Sequence, residues 1–189
     1  MKRAMPCLVV ALALVAVQCA SGERALATAA AGEAAFATVY RVLQHPRCVN
    51  CHPQDRLPRQ GDDGRPHGQF VTGGESGKGV LTMKCSTCHG DRNAVDAHAP
   101  PGAPNWHLPA ASMPLVFEGR SAAQLAVQLA DRAQNGGRST TQLLEHVTHD
   151  PLVLWGWSPG LGRTPVSVPH PEFVAAMQTW LAAGCPVPR

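Results

Sequence analysis

The stretches HPRCVNCHPQD, residues 45–55, and MKCSTCHGDR, residues 83–92, each contain two cysteines separated by two residues, with a histidine directly after the second. A disulfide between such close cysteines closes a strained, reducible loop, and it has no use for the histidine. A pattern that keeps all three side chains in both copies indicates a ligand that needs two thiols and one imidazole each time. The residues concerned are Cys48, Cys51 and His52, then Cys85, Cys88 and His89.

Covalent haem uses every side chain of Cys-x-x-Cys-His. The two thiols add to the vinyl groups of the porphyrin, the two-residue gap sets their separation along one turn, and the next imidazole binds the iron. We therefore predict two covalently bound haem c groups, with His52 and His89 as the proximal iron ligands. The predicted thioether attachments are at Cys48, Cys51, Cys85 and Cys88.

Zinc and disulfides are the alternatives for the same cysteines. Two Cys-x-x-Cys pairs can form a tetrahedral four-thiolate zinc site. However, the 33 residues between Cys51 and Cys85 exceed the usual spacing, and zinc does not require a histidine after each pair. Disulfides are the default for cysteines in exported proteins. Both alternatives stay open from the sequence alone.

Several stretches of the chain resemble a known family. The sequences HPRCVNCHP, QGDDGRPH, CSTCH, PGAPNWHLP, SMPLVFEG, NGGRS and HDPLVLWGW are similar to those of short bacterial di-haem proteins, and the likeness covers most of residues 36–184. Those proteins are labelled as cytochrome-like partners of molybdenum hydroxylases of the isoquinoline 1-oxidoreductase type. The resemblance implies a c-type cytochrome with redox partner proteins, such as a dehydrogenase or a molybdenum hydroxylase.

The amino-terminal segment, residues 1–27, has the features of a secretory signal peptide. Lys2 and Arg3 precede an apolar run over residues 8–17, and small residues follow it. This run is shorter than the about 20 apolar residues that a membrane-spanning helix needs. We predict removal of residues 1–27 and a periplasmic or otherwise exported location. An uncleaved membrane anchor and a lipid anchor at Cys19 are the alternatives.

Residues 28–189 have the length of a single domain. Because residues 1–27 carry three basic side chains and one acidic one, cleavage lowers the formal charge from +3 to +1. No basic stripe is present, so we expect no nucleic-acid partner, and we expect no stable membrane insertion. The two motifs are 37 positions apart, too close for tandem one-haem domains, so one compact unit should hold both haems. With only 5% aromatic residues, the porphyrins would supply apolar volume to the core.

The pattern of apolar residues predicts a mostly α domain with about four helices and long loops, and the resemblance implies that this domain is cytochrome c-like. Glycine and proline are abundant between the helices, and a short hairpin is expected only over residues 68–74. Ser121 and Gln124 form a capping box, and Pro171 fits the first turn of the last helix. The predicted helices are residues 32–45, 121–134, 139–148 and 171–184, and the predicted loops are residues 53–82 and 91–118.

The second axial ligand of each iron decides whether the iron is closed or open to small molecules. Met113 is a candidate because it lies 61 positions after His52, in a loop that resembles the methionine loop of class I cytochromes c. The alternative is that Met113 fills a gap in the core. His67 and His107 are further candidates, because each lies in a long loop near an attachment site. We expect His45 to hydrogen-bond locally.

The expected function is one-electron transfer between a donor oxidoreductase and an acceptor. A small di-haem enzyme with one open iron, of the peroxidase or sulfur-compound oxidase type, is the alternative. A third possibility is the electron-transfer subunit of a larger dehydrogenase. We expect a carrier or subunit rather than a stand-alone enzyme, because no phosphate loop, Ser-His-Asp order or paired catalytic carboxylates are visible.

Overall fold

The computed structural model describes the backbone of residues 7–189 and the side chains of residues 24–189. Most of the predicted signal peptide, with its basic and apolar side chains, lies outside the residues whose side chains are described. The mostly α class is confirmed for the described chain. Its helices are α1 (Cys7–Leu43), α2 (Pro46–Val49), α3 (Ala122–Ala130), α4 (Thr140–His149), α5 (Pro151–Leu154) and α6 (His170–Ala182). Its strands are β1 (Arg59–Gln60), β2 (Arg65–Pro66), β3 (Gly79–Val80) and β4 (Met83–Lys84).

Helix α1 starts well before the predicted residue 32 and ends at Leu43, close to its predicted end. The residue before a proline avoids the helical region. His45 accordingly is extended, with φ −69° and ψ 144°, and Pro46 begins the next short helix. The change of direction at His45 brings the chain from α1 directly into the first Cys-x-x-Cys-His segment.

Helix α3 begins as predicted and ends early. The Ser121 hydroxyl accepts a hydrogen bond from the Gln124 N–H, and the Gln124 side chain accepts one from the Ser121 N–H, which completes the capping box. The helix was predicted to continue to residue 134, but it ends at Ala130. Asp131 is extended, and its carboxylate accepts a hydrogen bond from the Ala133 N–H at 2.9 Å. Such a local bond competes with helix continuation.

The hairpin predicted over residues 68–74 is wrong in position. Gly68–Phe70 form a single 3₁₀ turn, with Gln69 in the left-handed region at φ 59°. The antiparallel pairs lie instead between β1 and β2 and between β3 and β4. The β1–β2 turn contains Gly64 at φ 63°, and glycine adopts this conformation without strain. The pair Asp63-Gly64 therefore suits the turn that joins β1 to β2.

The hydrophobic core lies between α1 and α6, and α3 and α4 complete it. The rings of Phe36 and Trp180 are fully buried and their centroids are 4.8 Å apart. Burial of each such side chain contributes about 1.5–3 kcal/mol. Cys48 and Val49 pack against this core, so the first attachment segment is part of it. Within the part of the chain that the structure describes, no helix has the length and apolarity needed to cross a membrane.

Candidate functional site

The first Cys-x-x-Cys-His segment folds as one helical turn that continues α2. The N–H groups of Cys51 and His52 both donate to the Cys48 carbonyl, at 3.1 Å each. Both thiols and the imidazole are therefore carried by consecutive positions of the same turn. This arrangement is the one expected for attachment of a porphyrin by two thioethers with an imidazole beneath it.

The second segment makes the same turn outside the helical core. The N–H groups of Cys88 and His89 donate to the Cys85 carbonyl, at 3.2 and 2.9 Å. The β3–β4 hairpin leads into this turn, and the Cys85 N–H donates back to the Lys78 carbonyl at 3.0 Å. Cys88 is exposed and Cys85 is half-buried, so this turn lies closer to the surface than the first one.

The segment 115–118 holds His52 from one side. The Nδ1–H of His52 donates to the Leu115 carbonyl at 2.6 Å, and the Phe117 N–H donates to the His52 carbonyl at 2.9 Å. The Phe117 ring stacks on the imidazole, with centroids 3.9 Å apart and planes 16° apart. Phe117 belongs to the core. The orientation of His52 is therefore fixed by a core residue and by its own backbone.

The segment around Pro101 holds His89 in the same way. The Nδ1–H of His89 donates to the Pro101 carbonyl at 2.7 Å, and the Trp106 ring stacks on the imidazole at 4.5 Å and 5°. The next residue has to be small, because a Cβ on Gly102 would lie 2.3 Å from the Arg92 carbonyl oxygen. Gly102 thus permits the close approach that brings the Pro101 carbonyl to the imidazole.

Both motif histidines consequently carry their proton on Nδ1. A carbonyl oxygen only accepts, so Nδ1 must be the donor, and Nε2 keeps its lone pair. Neither Nε2 makes a hydrogen bond within the described side chains. Burial lowers the pKa of His52 to about 4 and also lowers that of His89, so both rings are neutral. Metal-binding histidines are usually neutral, and the ring nitrogen that does not bind the metal usually donates its N–H to a carbonyl or carboxylate oxygen.

The thiols of the first turn are also neutral. Burial raises the pKa of Cys48 to about 12 and that of Cys51 to about 11. The five cysteines whose side chains are described, which include the half-buried Cys185, form no disulfide. No three His, Cys, Asp or Glu side chains of the described chain converge to hold a metal ion, so a four-thiolate zinc site is not assembled.

The predicted distal candidates separate between the two sites. The ring of His67 lies beside His89, with centroids 6.0 Å apart. His107 lies in the chain between Trp106, which stacks on His89, and Leu108, which lines a cavity beside His52. Met113 is half-buried and directly precedes Pro114, which lines a small cavity beside His52. The structure therefore brings His67 to the second turn and the Met113 loop to the first, whereas the chain neighbours of His107 belong to both sites.

His45 and His146 are bonded to neighbouring residues, and Met177 is a core residue. His45 accepts a hydrogen bond from the Arg47 N–H at 3.2 Å, as its local role predicts. His146 contacts Asp150 at 3.1 Å. Met177 is 1% exposed and packs in the core.

A set of side chains that the sequence did not indicate joins the two turns. Trp106, which stacks on His89, contacts Trp155 edge to face at 5.0 Å and 86°. The guanidinium of Arg47 lies 5.7 Å from the centre of the Trp155 ring, and Arg47 directly precedes Cys48. Trp157 packs against Phe173 of α6, whereas Trp155 packs between the two turns. No local pattern reveals this contact, because its members are distant in the chain.

The buried Arg47 side chain is 2% exposed, and it pairs with the Asp62 carboxylate. We expect Asp62→Asn to lower the free energy of unfolding by about 1–2 kcal/mol at pH 7, because the buried Arg47 loses its charged partner. The loss stays modest because the Asp62 carboxylate is partly exposed and solvent screens its charge. Hydrogen bonds from Thr164, followed by the charge of Arg47, lower the pKa of Asp62. A lowered pKa stabilises the fold above the unfolded value of about 3.9, and this stabilisation is lost as the pH falls through the folded value.

Urea denaturation at pH 7 and at about pH 3 measures this effect. The difference between the Asp62→Asn variant and the unchanged protein should shrink at the lower pH. Asp63→Asn is the matched control, because its ion pair with Arg65 is exposed on both sides. Equal losses for the two variants at pH 7 would contradict a structural role for the Arg47–Asp62 pair.

Comparisons of the chain with protein-family models, with curated proteins and with solved structures found no match. The assignment of function therefore depends on the two turns and their surroundings.

Proposed function

We propose that the chain is an exported di-haem c-type cytochrome that transfers single electrons between a donor oxidoreductase and an acceptor. One observation carries the proposal. Two Cys-x-x-Cys-His turns have the same backbone hydrogen bonds, and each presents a neutral histidine with Nδ1 held by a backbone carbonyl and Nε2 free. Neither a disulfide nor a zinc site requires that arrangement twice. The proposed location is the periplasm, after removal of residues 1–27.

The residues that would hold the two haems follow from the two turns. Cys48 and Cys51 would form the thioethers at the first site and Cys85 and Cys88 at the second, with His52 and His89 as proximal ligands. Haem supplies a one-electron change at iron, whose potential depends on the axial ligands and on burial. The protein orients the imidazoles, through the Leu115 and Pro101 carbonyls, and shields them with aromatic rings.

The distribution of distal candidates favours a carrier over an enzyme. His67 lies beside His89, and the Met113 loop borders the cavity beside His52, so each site has its own candidate for closing the iron. A closed iron suits electron transfer, whereas an open position is needed for small-molecule chemistry. A peroxidase or sulfur-compound oxidase would need one site without such a ligand.

Binding of carbon monoxide distinguishes a carrier from an enzyme. Stopped-flow mixing of the reduced, haem-loaded protein with carbon monoxide should show slow binding at both irons, and peroxide turnover should be negligible. Fast, stoichiometric binding at one haem in freshly purified protein would instead establish an open iron and support the enzyme alternative. Fast binding of carbon monoxide at both haems would show that neither iron is closed.

Met113 is the proposed distal ligand of the haem at His52. We expect Met113→Ala to remove the weak near-infrared sulfur-to-iron band of the oxidised protein. We expect Met113→His to remove the same band and to lower the potential of that haem, because a thioether ligand raises it. Met83→Ala, which changes a 40% exposed methionine, is the matched control. If spectrum and potentials are unchanged in Met113→Ala, Met113 only packs.

A further inference from the structure

His67 and His89 form a pair of imidazoles whose spacing fits one metal between them. Their ring centroids are 6.0 Å apart and their planes are inclined by 60°. Two imidazoles bound to opposite sides of one metal have ring centres about 6 Å apart. Each metal–nitrogen bond is about 2 Å long, and each ring centre lies about 1 Å beyond its nitrogen. A hydrogen bond between the two rings would instead bring their centres closer, and no such bond joins them in the described side chains.

The tautomers of both rings are set in the same sense. The Nδ1–H of His67 donates to the Gly68 carbonyl at 2.8 Å, and that of His89 donates to the Pro101 carbonyl at 2.7 Å. Each ring therefore keeps an unprotonated Nε2, which is the nitrogen that binds a metal when Nδ1 is held by a carbonyl. Two neighbouring histidines that both offer an unprotonated Nε2 can bind one metal together.

The β1–β2 hairpin fixes the position of His67. The His67 N–H donates to the Pro58 carbonyl at 3.0 Å, and the next N–H, of Gly68, donates to the Gln60 side chain at 2.9 Å. The base of the hairpin is tied to the first turn, because the Arg59 N–H donates to the Asn50 carbonyl at 2.9 Å. The hairpin thus extends from the first attachment turn, and His67, which directly follows β2, lies beside the second attachment turn.

We infer that His67 is the distal iron ligand of the haem attached at Cys85 and Cys88, so that this site is closed by two histidines. The inference rests on the proposed function, since it assigns a ligand to one of the two proposed haems. A bis-histidine iron has a lower potential than an iron with one histidine and one methionine, because methionine ligation raises the potential. With Met113 at the first site, the two proposed haems would differ in potential.

The test uses the haem-loaded protein and the variant His67→Ala. Haem content by mass is measured first, and the spin state is then read from visible and electron paramagnetic resonance spectra. The variant should keep two haems but convert one iron to a high-spin form that binds carbon monoxide quickly. Added imidazole should restore the low-spin form, since it replaces the lost side chain. His98→Ala is the matched control, because His98 is an exposed loop histidine.

A His67→Ala protein with two low-spin haems and slow carbon monoxide binding would overturn the inference and leave the proposed function standing. If the unchanged protein carries no haem at Cys85 and Cys88, the proposed function fails, and the ligand assignment fails with it. Near-infrared magnetic circular dichroism of the unchanged oxidised protein needs no variant to fold. A bis-imidazole band supports the assignment, and its absence contradicts it.

Discussion

Replacing Cys85 and Cys88 together by alanine is expected to remove one haem and leave the helical core folded. The same double change at Cys48 and Cys51 is expected to prevent the protein from folding as well as from binding the first haem. The reason is the different location of the two turns. Cys48 packs against the core between α1 and α6, whereas Cys88 is exposed in the loop region. A porphyrin missing from the core leaves a cavity, and the cost grows with cavity volume.

Expression with the haem-attachment machinery, followed by mass spectrometry and thermal unfolding by circular dichroism, measures both effects. The Cys85/Cys88 variant should have the mass of the chain plus one haem and a cooperative helical transition. The Cys48/Cys51 variant should accumulate poorly and show no such transition. Equal stability of the two variants would contradict the view that only the first haem completes the core.

Phe117→Ala is expected to lower the free energy of unfolding by about 3–5 kcal/mol, the usual cost of truncating a buried aromatic side chain. Phe117 is 6% exposed, belongs to the core and stacks on the His52 imidazole. Its loss should also free the imidazole to rotate, so the electron paramagnetic resonance signal of the first haem should broaden. The His89 imidazole has its own stacking partner, Trp106, so the signal of the proposed second haem should not change.

Denaturant titration of the haem-loaded variant measures the stability change. Phe70→Ala is the matched control, because the same substitution is made at a side chain that is 94% exposed. That control should change stability by less than about 0.5 kcal/mol. Similar losses at the two positions, or a change confined to the second haem, would contradict the role given to Phe117.

Local features of the sequence predict the helices well. Ser121 with Gln124 and Ser139 with Gln142 form capping boxes at the starts of α3 and α4, and Pro46 sets the limit of α1. These signals involve residues a few positions apart, so they do not depend on contacts with distant parts of the chain. The end of α3 was misjudged because the hydrogen bond from the Ala133 N–H to Asp131 competes with the helix.

The surroundings of the two motif histidines could not be predicted from the sequence. The groups that hold them are the backbone carbonyls of Leu115 and Pro101, and every residue has a carbonyl. Which carbonyl reaches the imidazole depends on how two long loops fold, through contacts between distant residues. The pairing of His67 with His89 has the same origin, since it depends on a hairpin that the sequence was expected to form further along the chain.

Counting the covalent haems tests most directly whether the chain is a di-haem c-type cytochrome. Intact mass spectrometry of protein exported in cells with the haem-attachment machinery, combined with a pyridine haemochrome assay and a metal analysis, gives the number per chain. We expect the mass of the mature chain plus two haems, with two irons and low-spin spectra in both oxidation states. A mass equal to that of the chain alone, or zinc in place of iron, would contradict it.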